Sequence, residues 1–120
     1  EQVLDNISYM KDFKPLSEEE QNTIKEAQKA LDAIESIPCT ACRYCTPGCP
    51  MGIEIPDIFK AMNWYKIYGM KDKAKDRYEG IIEKSAKASE CIECGQCEGV
   101  CPQQLPIIKY LKECADVLEE

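Results

Sequence analysis

Cys39-Thr-Ala-Cys-Arg-Tyr-Cys-Thr-Pro-Gly-Cys-Pro50 and Cys91-Ile-Glu-Cys-Gly-Gln-Cys-Glu-Gly-Val-Cys-Pro102 are two copies of one pattern. Cys39, Cys42, Cys45 and Cys49 map onto Cys91, Cys94, Cys97 and Cys101 with a constant offset of 52, the difference between 39 and 91. The match runs past the cysteines: Pro50 maps onto Pro102, Ile53 onto Leu105 and Ile55 onto Ile107. An internal repeat of this kind predicts two copies of one structural unit about a pseudo-twofold axis.

Both runs read C-x2-C-x2-C-x3-C-P, the bacterial two-cluster ferredoxin pattern. Three cysteines at two-residue gaps wrap one tight turn around three corners of a [4Fe–4S] cubane. The proline after the fourth turns the chain away, so the fourth thiolate ligates the other cluster. The pattern thus predicts two [4Fe–4S] clusters. Cys39, Cys42, Cys45 and Cys101 hold the first; Cys91, Cys94, Cys97 and Cys49 hold the second. Structural zinc favours separated pairs of ligands over four closely spaced cysteines, and an odd total of nine argues against a closed disulfide set. Cys114 stands outside the motifs and reads as a packed core thiol.

Between the ligands, Gly48, Gly95 and Gly99 let backbone N–H groups approach cluster sulfurs. Ile53, Ile55, Leu105 and Ile107 are expected to sheath the clusters. Arg43 either tunes the charge beside a ligand or is solvated.

Outward from the motifs, the sequence reads as helices. Val3, Ile7 and Met10 recur at helical spacing over residues 1–13. Ser17-Glu-Glu-Glu20 is a capping box opening a helix to about Ser36, with Ile24, Ala27, Leu31 and Ile34 on one stripe. Pro56 suits the first position of a third helix and Gly69 its end. A fourth covers about 71–87, with Ala74, Tyr78, Ile81 and Ile82 inward. A last helix covers about 105–118. The aromatics at 59, 64, 65 and 68 read as core. No segment alternates apolar and polar residues, so the expected fold class is all-α.

The chain has 120 residues, a formal net charge of −7 and no histidine. Without histidine the commonest general base is missing, and no phosphate loop or nucleophile elbow is present. No catalytic residue is assigned. Two clusters, each −2 with its four thiolates, bring the oxidised charge to about −11. Such a surface disfavours nucleic acid and anionic membranes and suits a redox partner with a basic patch. No signal peptide or membrane span is evident, and cluster lability in oxygen points to a reducing cytoplasm. The first residue, Glu1, suggests a piece of a longer protein.

Ordinary bacterial ferredoxins set their motifs closer together and flank them with strands. Here the 41 residues between Cys49 and Cys91 look helical. This resembles the α-helical ferredoxin fold of the iron–sulfur subunits of succinate dehydrogenase and heterodisulfide reductase. A further resemblance covers the whole chain. Glu1-Gln-Val-Leu-Asp-Asn-Ile7 and Asp12-Phe-Lys-Pro-Leu-Ser-Glu-Glu-Glu20 are similar to the end of the barrel in ferredoxin-fused aldo/keto reductases. Ile37–Cys45, Cys49-Pro-Met-Gly-Ile-Glu-Ile-Pro56 and Cys101-Pro-Gln-Gln-Leu-Pro-Ile107 are similar to that branch's cluster domain. The resemblance implies that residues 1–36 are the barrel's tail and a connecting helix, and 37–120 a dicluster domain. It also implies a barrel partner in the same polypeptide, with this chain as its electron-transfer module. The alternatives are an electron-transfer subunit of a larger complex, or a structural or sensor cluster domain without redox turnover.

Overall fold

A computed structural model describes residues 1–120. It is all-helical, with elements α1 (Gln2–Lys11), α2 (Glu18–Asp32), α3 (Ile55–Tyr68), α4 (Lys71–Ile82), α5 (Gln96–Gly99) and α6 (Ile107–Leu118), and one 3-10 turn, Ala88–Glu90. No helix is long and apolar enough to cross a membrane. The chain forms two compact units, Glu1–Ile34 and Glu35–Glu120.

The first unit is a pair of helices. Ser17 Oγ accepts from the Glu20 amide, and Glu20 accepts from the Ser17 amide at 2.8 Å, so the capping box is closed. That arrangement satisfies two amides the first turn leaves orphaned. α2 stops at Asp32, about a turn short of the expected end at Ser36, and Ile34 falls outside it. Neither α1 nor α2 buries a residue; Val3, Ile7, Met10, Ile24, Leu31 and Ile34 all remain exposed.

The second unit holds the core. Ile55, Ile58, Phe59 and Met62 share one face of α3, at the i, i+3, i+4, i+7 spacing of a helix stripe. Ile107, Leu111, Cys114 and Leu118 share one face of α6, at i, i+4, i+7 and i+11. α4 adds Ala74 and Tyr78, while Ile81 and Ile82 pack half-buried at the core's edge. The Phe59 and Tyr110 rings meet edge to face, their centroids 5.8 Å apart. Gly69, at φ 68°, ends α3, and its amide reaches Tyr65 O at 2.8 Å. Only a left-handed residue closes the helix in this way, which favours glycine.

Several expectations shift here. α3 begins one residue early, at Ile55, with Pro56 second. α4 ends at Ile82 rather than near 87, and the chain reaches the second motif through the 3-10 turn. Of the four aromatics read as core, Phe59 is buried and Trp64 half-buried, but Tyr65 and Tyr68 are exposed, Tyr68 at 66%. Both lie towards the C-terminal end of α3.

Candidate iron–sulfur site

The repeat in the letters is a repeat in the backbone. Non-glycine residues avoid positive φ because Cβ meets the following carbonyl, at about 1–2 kcal/mol each. Yet Ala41, Arg43, Glu93 and Gln104 all adopt it, at 55°, 64°, 57° and 51°. With Gly52 (68°) and Gly95 (76°) they form three pairs at the offset of 52: Ala41 with Glu93, Arg43 with Gly95, Gly52 with Gln104. Turn hydrogen bonds pair the same way. Thr46 N to Arg43 O matches Glu98 N to Gly95 O; Cys49 N to Thr46 O matches Cys101 N to Glu98 O; Gly52 N to Cys49 O matches Gln104 N to Cys101 O. Left-handed residues alternating with ordinary ones curl the chain so that amides converge on one side, a concavity suited to an anionic group such as a cluster.

Burial of the thiols follows the repeat as well. Cys45 and Cys97 are buried, Cys42 and Cys94 exposed, and Cys39, Cys49, Cys91 and Cys101 lie between. All nine thiols are free, with no disulfide.

Cys39, Cys42, Cys45 and Cys101 line one cavity, with Arg43, Ile55, Phe59, Leu105 and Ile107. Cys49, Cys91, Cys94 and Cys97 line a second, with Met51, Ile53, Ile55, Ile92 and Leu111. Each cavity thus draws three thiols from one motif and the fourth from the other. The side chains expected to sheath the clusters are divided between them: Leu105 and Ile107 at the first, Ile53 at the second, Ile55 at both. No group of three or more Cys, Asp or Glu converges on one point to hold a single metal ion. Four soft sulfur donors around each cavity suit iron–sulfur chemistry.

Burial pushes the Cys39 thiol up; the Ala41 amide opposes this, while Cys42 and Cys101 add to it. Burial likewise raises Cys45, against its own amide. Cys97 is pushed up to about 11, chiefly by burial, against the Glu98 amide. Crowded thiols resist ionising until a cationic core compensates their charge, so binding releases protons. Cys114 has no exposed surface, and burial takes it up to about 12. It corresponds to Met62 in the repeat and fills the same buried level of its helix.

Each loop is fastened to the helix that follows it, with opposite polarity. In the first half Arg43 bonds Glu54 at 2.9 Å and Asp57 at 2.9 Å. The Arg43 side chain is therefore committed, although 51% exposed. In the second half Glu93 pairs with Lys112 at 2.9 Å, and Glu98 accepts from the Ile108 amide at 2.9 Å.

Each motif is also pinned two residues before its first cysteine. Asn63 holds both backbone polar groups of Ile37. Glu119 accepts from the Ser89 amide and hydroxyl, at 3.0 and 2.6 Å. Tyr78 donates to the same Glu119 carboxylate and accepts from the Ala88 amide at 2.8 Å. Sequence reading found neither pin, because each joins residues 26 or 30 apart through side chains with no motif around them.

The profile of the 4Fe-4S dicluster domain family matches residues 38–105, more than half of the chain. The chain belongs to that family: it is a [4Fe–4S] electron-transfer domain carrying two clusters. It is 28% identical over 96 residues, 80% of its length, to a subunit of the ion-translocating oxidoreductase complex of Buchnera aphidicola subsp. Acyrthosiphon pisum. It is 30% identical over 100 residues, 83% of its length, to a probable glycolate oxidase iron-sulfur subunit of Bacillus subtilis. The chain spans 18% and 22% of the lengths of these relatives. No solved structure matches it.

Proposed function

We propose that this domain relays electrons inside a larger oxidoreductase, through one cluster on Cys39, Cys42, Cys45 and Cys101 and another on Cys91, Cys94, Cys97 and Cys49. One observation carries the reading: eight thiols fall four and four around two cavities, each taking its fourth thiol from the opposite motif. When bound, each cluster supplies a one-electron couple. The protein's own part is to hold that group still, direct amides at its sulfurs, and exclude water with Ile55, Leu105 and Ile107 on one side and Ile53 and Leu111 on the other.

For the host, the two relatives support a subunit or region of an oxidoreductase: one is named as a subunit of an oxidoreductase complex, the other as the iron-sulfur subunit of an oxidase. A second reading rests on the resemblance of Glu1–Ile7 and Asp12–Glu20 to the end of an aldo/keto reductase barrel. On it, residues 1–36 are the barrel's tail and connecting helix, and 37–120 the wiring module in the same polypeptide. The acidic surface suits a redox partner with a basic patch in a reducing cytoplasm.

The test is iron and acid-labile sulfide in anaerobically prepared protein, followed by redox titration under EPR. About eight of each and two one-electron couples are expected. No reducible signal between about −700 and +450 mV would sink electron transfer and leave a structural cluster domain. Coding sequence for a barrel immediately upstream of Glu1 would decide for the second host.

A further inference from the structure

Thr46 carries a hydroxyl that is buried and without a hydrogen-bond partner, the only side-chain oxygen or nitrogen so placed. An unpaired buried hydroxyl costs about 1–3 kcal/mol, so its position calls for a reason. The repeat supplies one. Thr46 corresponds to Glu98, whose carboxylate accepts from the Ile108 amide at the start of α6. Ile108 corresponds to Pro56 at the start of α3, and proline has no amide to offer. Position 46 is thereby released from capping. Its neighbour along the chain is the thiol of Cys45, in the wall of the first cavity.

Resting on the ligand assignment above, we propose that the Thr46 hydroxyl donates a hydrogen bond to the Cys45 sulfur of the loaded first cluster and raises the potential of that couple alone. The reduced cluster carries one more negative charge, so a donor at its sulfur favours the reduced form. The second half has no counterpart, since Glu98 is a carboxylate already engaged at Ile108. Thr46 is a positioning and tuning residue, not a ligand.

The test uses anaerobically reconstituted wild type, Thr46→Val, Thr46→Ser and Cys45→Ala, with iron and sulfide measured on each. In Thr46→Val one of the two EPR-monitored couples should move to lower potential. The reduced-to-oxidised ratio at fixed poise should fall several-fold, up to about tenfold, or 59 mV for a one-electron couple. Thr46→Ser should keep the wild-type value. The shift of the Fe–S stretching bands in deuterated water, read by resonance Raman, should be smaller in Thr46→Val than in wild type and Thr46→Ser. If Cys45→Ala spares the couple that Thr46→Val moves, the ligand assignment is wrong and the proposal falls with it. If Cys45→Ala removes a couple that Thr46→Val leaves unmoved, only the role of Thr46 fails. Equal shifts in the Val and Ser variants would show shape rather than hydrogen bonding at work. Should Thr46→Val not load, Thr46→Ala takes its place, and an unmoved couple there overturns the proposal.

Discussion

Asn63 grips the backbone of Ile37 at two points: Oδ1 accepts from the amide at 2.7 Å, and Nδ2 donates to the carbonyl at 2.8 Å. The carboxamide thus does for a loop what a neighbouring strand does in a sheet. Ile37 is 2% exposed, so water cannot replace it. Asn63→Ala strands both groups and is expected to cost about 2 kcal/mol. Asn63→Asp keeps an acceptor but sets a carboxylate against the Ile37 carbonyl, so it should do no better. Denaturant midpoints of the anaerobically reconstituted variants check this. An unchanged midpoint in Asn63→Ala would show the clamp to be idle.

Crossing of the fourth thiols has a directional consequence. Cys49→Ala should damage the cluster on Cys91, Cys94 and Cys97, and Cys101→Ala the one on Cys39, Cys42 and Cys45. Iron should fall from about eight towards about four in either variant. The surviving EPR signal should be a different one in each. The same survivor in both, or loss following the motif in which the cysteine lies, contradicts the crossing.

Arg43 and Gly95 occupy one backbone position in the two halves, at φ 64° and 76°. Arg43→Ala loses the ion pairs and keeps the left-handed strain; Arg43→Gly loses the pairs and relieves it. Exposed pairs contribute about 0–1 kcal/mol each. Arg43→Gly should therefore be the milder change, by about 1 kcal/mol. Chemical denaturation of the two variants side by side measures the difference, and equal loss would deny the strain.

Glu119 links the C-terminus to the residues that lead into the second motif. Burial alone would raise its carboxyl. Hydrogen bonds from the Ser89 side chain, Tyr78 and the Ser89 amide outweigh that and hold it below the usual value of 4.5. A depressed carboxyl stabilises the fold fully above its unfolded pKa, and the contribution is lost as pH falls through the folded value. Wild type should lose stability on acidification below about pH 5 more steeply than Glu119→Gln. Tyr78→Phe leaves the buried Ala88 amide unpaired and should cost about 1–3 kcal/mol. Parallel acid titrations for wild type and Glu119→Gln would remove Glu119 from the account.

Spacing alone made the eight thiols and the all-helical class legible. C-x2-C-x2-C-x3-C-P constrains a short loop, and the stripes at Ile55–Met62 and Ile107–Leu118 carry helical period. Four left-handed residues were hidden, because Ala41, Arg43, Glu93 and Gln104 are types that avoid that region. Of Gly48, Gly95 and Gly99, the glycines the sequence singled out, only Gly95 takes positive φ, and four of the six left-handed loop places carry a side chain. Helix ends at Asp32 and Ile82 were hidden for a different reason: helix formers continue past both, with no glycine or proline to mark the stop. The pins by Asn63 and Glu119 lie beyond any local window.

Opposite polarity in the two loop fasteners gives near-duplicate halves distinct identities. Arg43 meets Glu54 and Asp57 at the entry to α3; transplanted to the entry of α6 it would meet Pro106 and Lys109, the residues 52 places on. Glu93, facing Lys112 on α6, would find Lys60 on α3 but also Asp57 beside it. A chain built twice from one plan risks threading a loop onto the wrong helix while it collapses. Charge keys each loop to its own helix, so mis-threaded forms start at a disadvantage before any iron arrives.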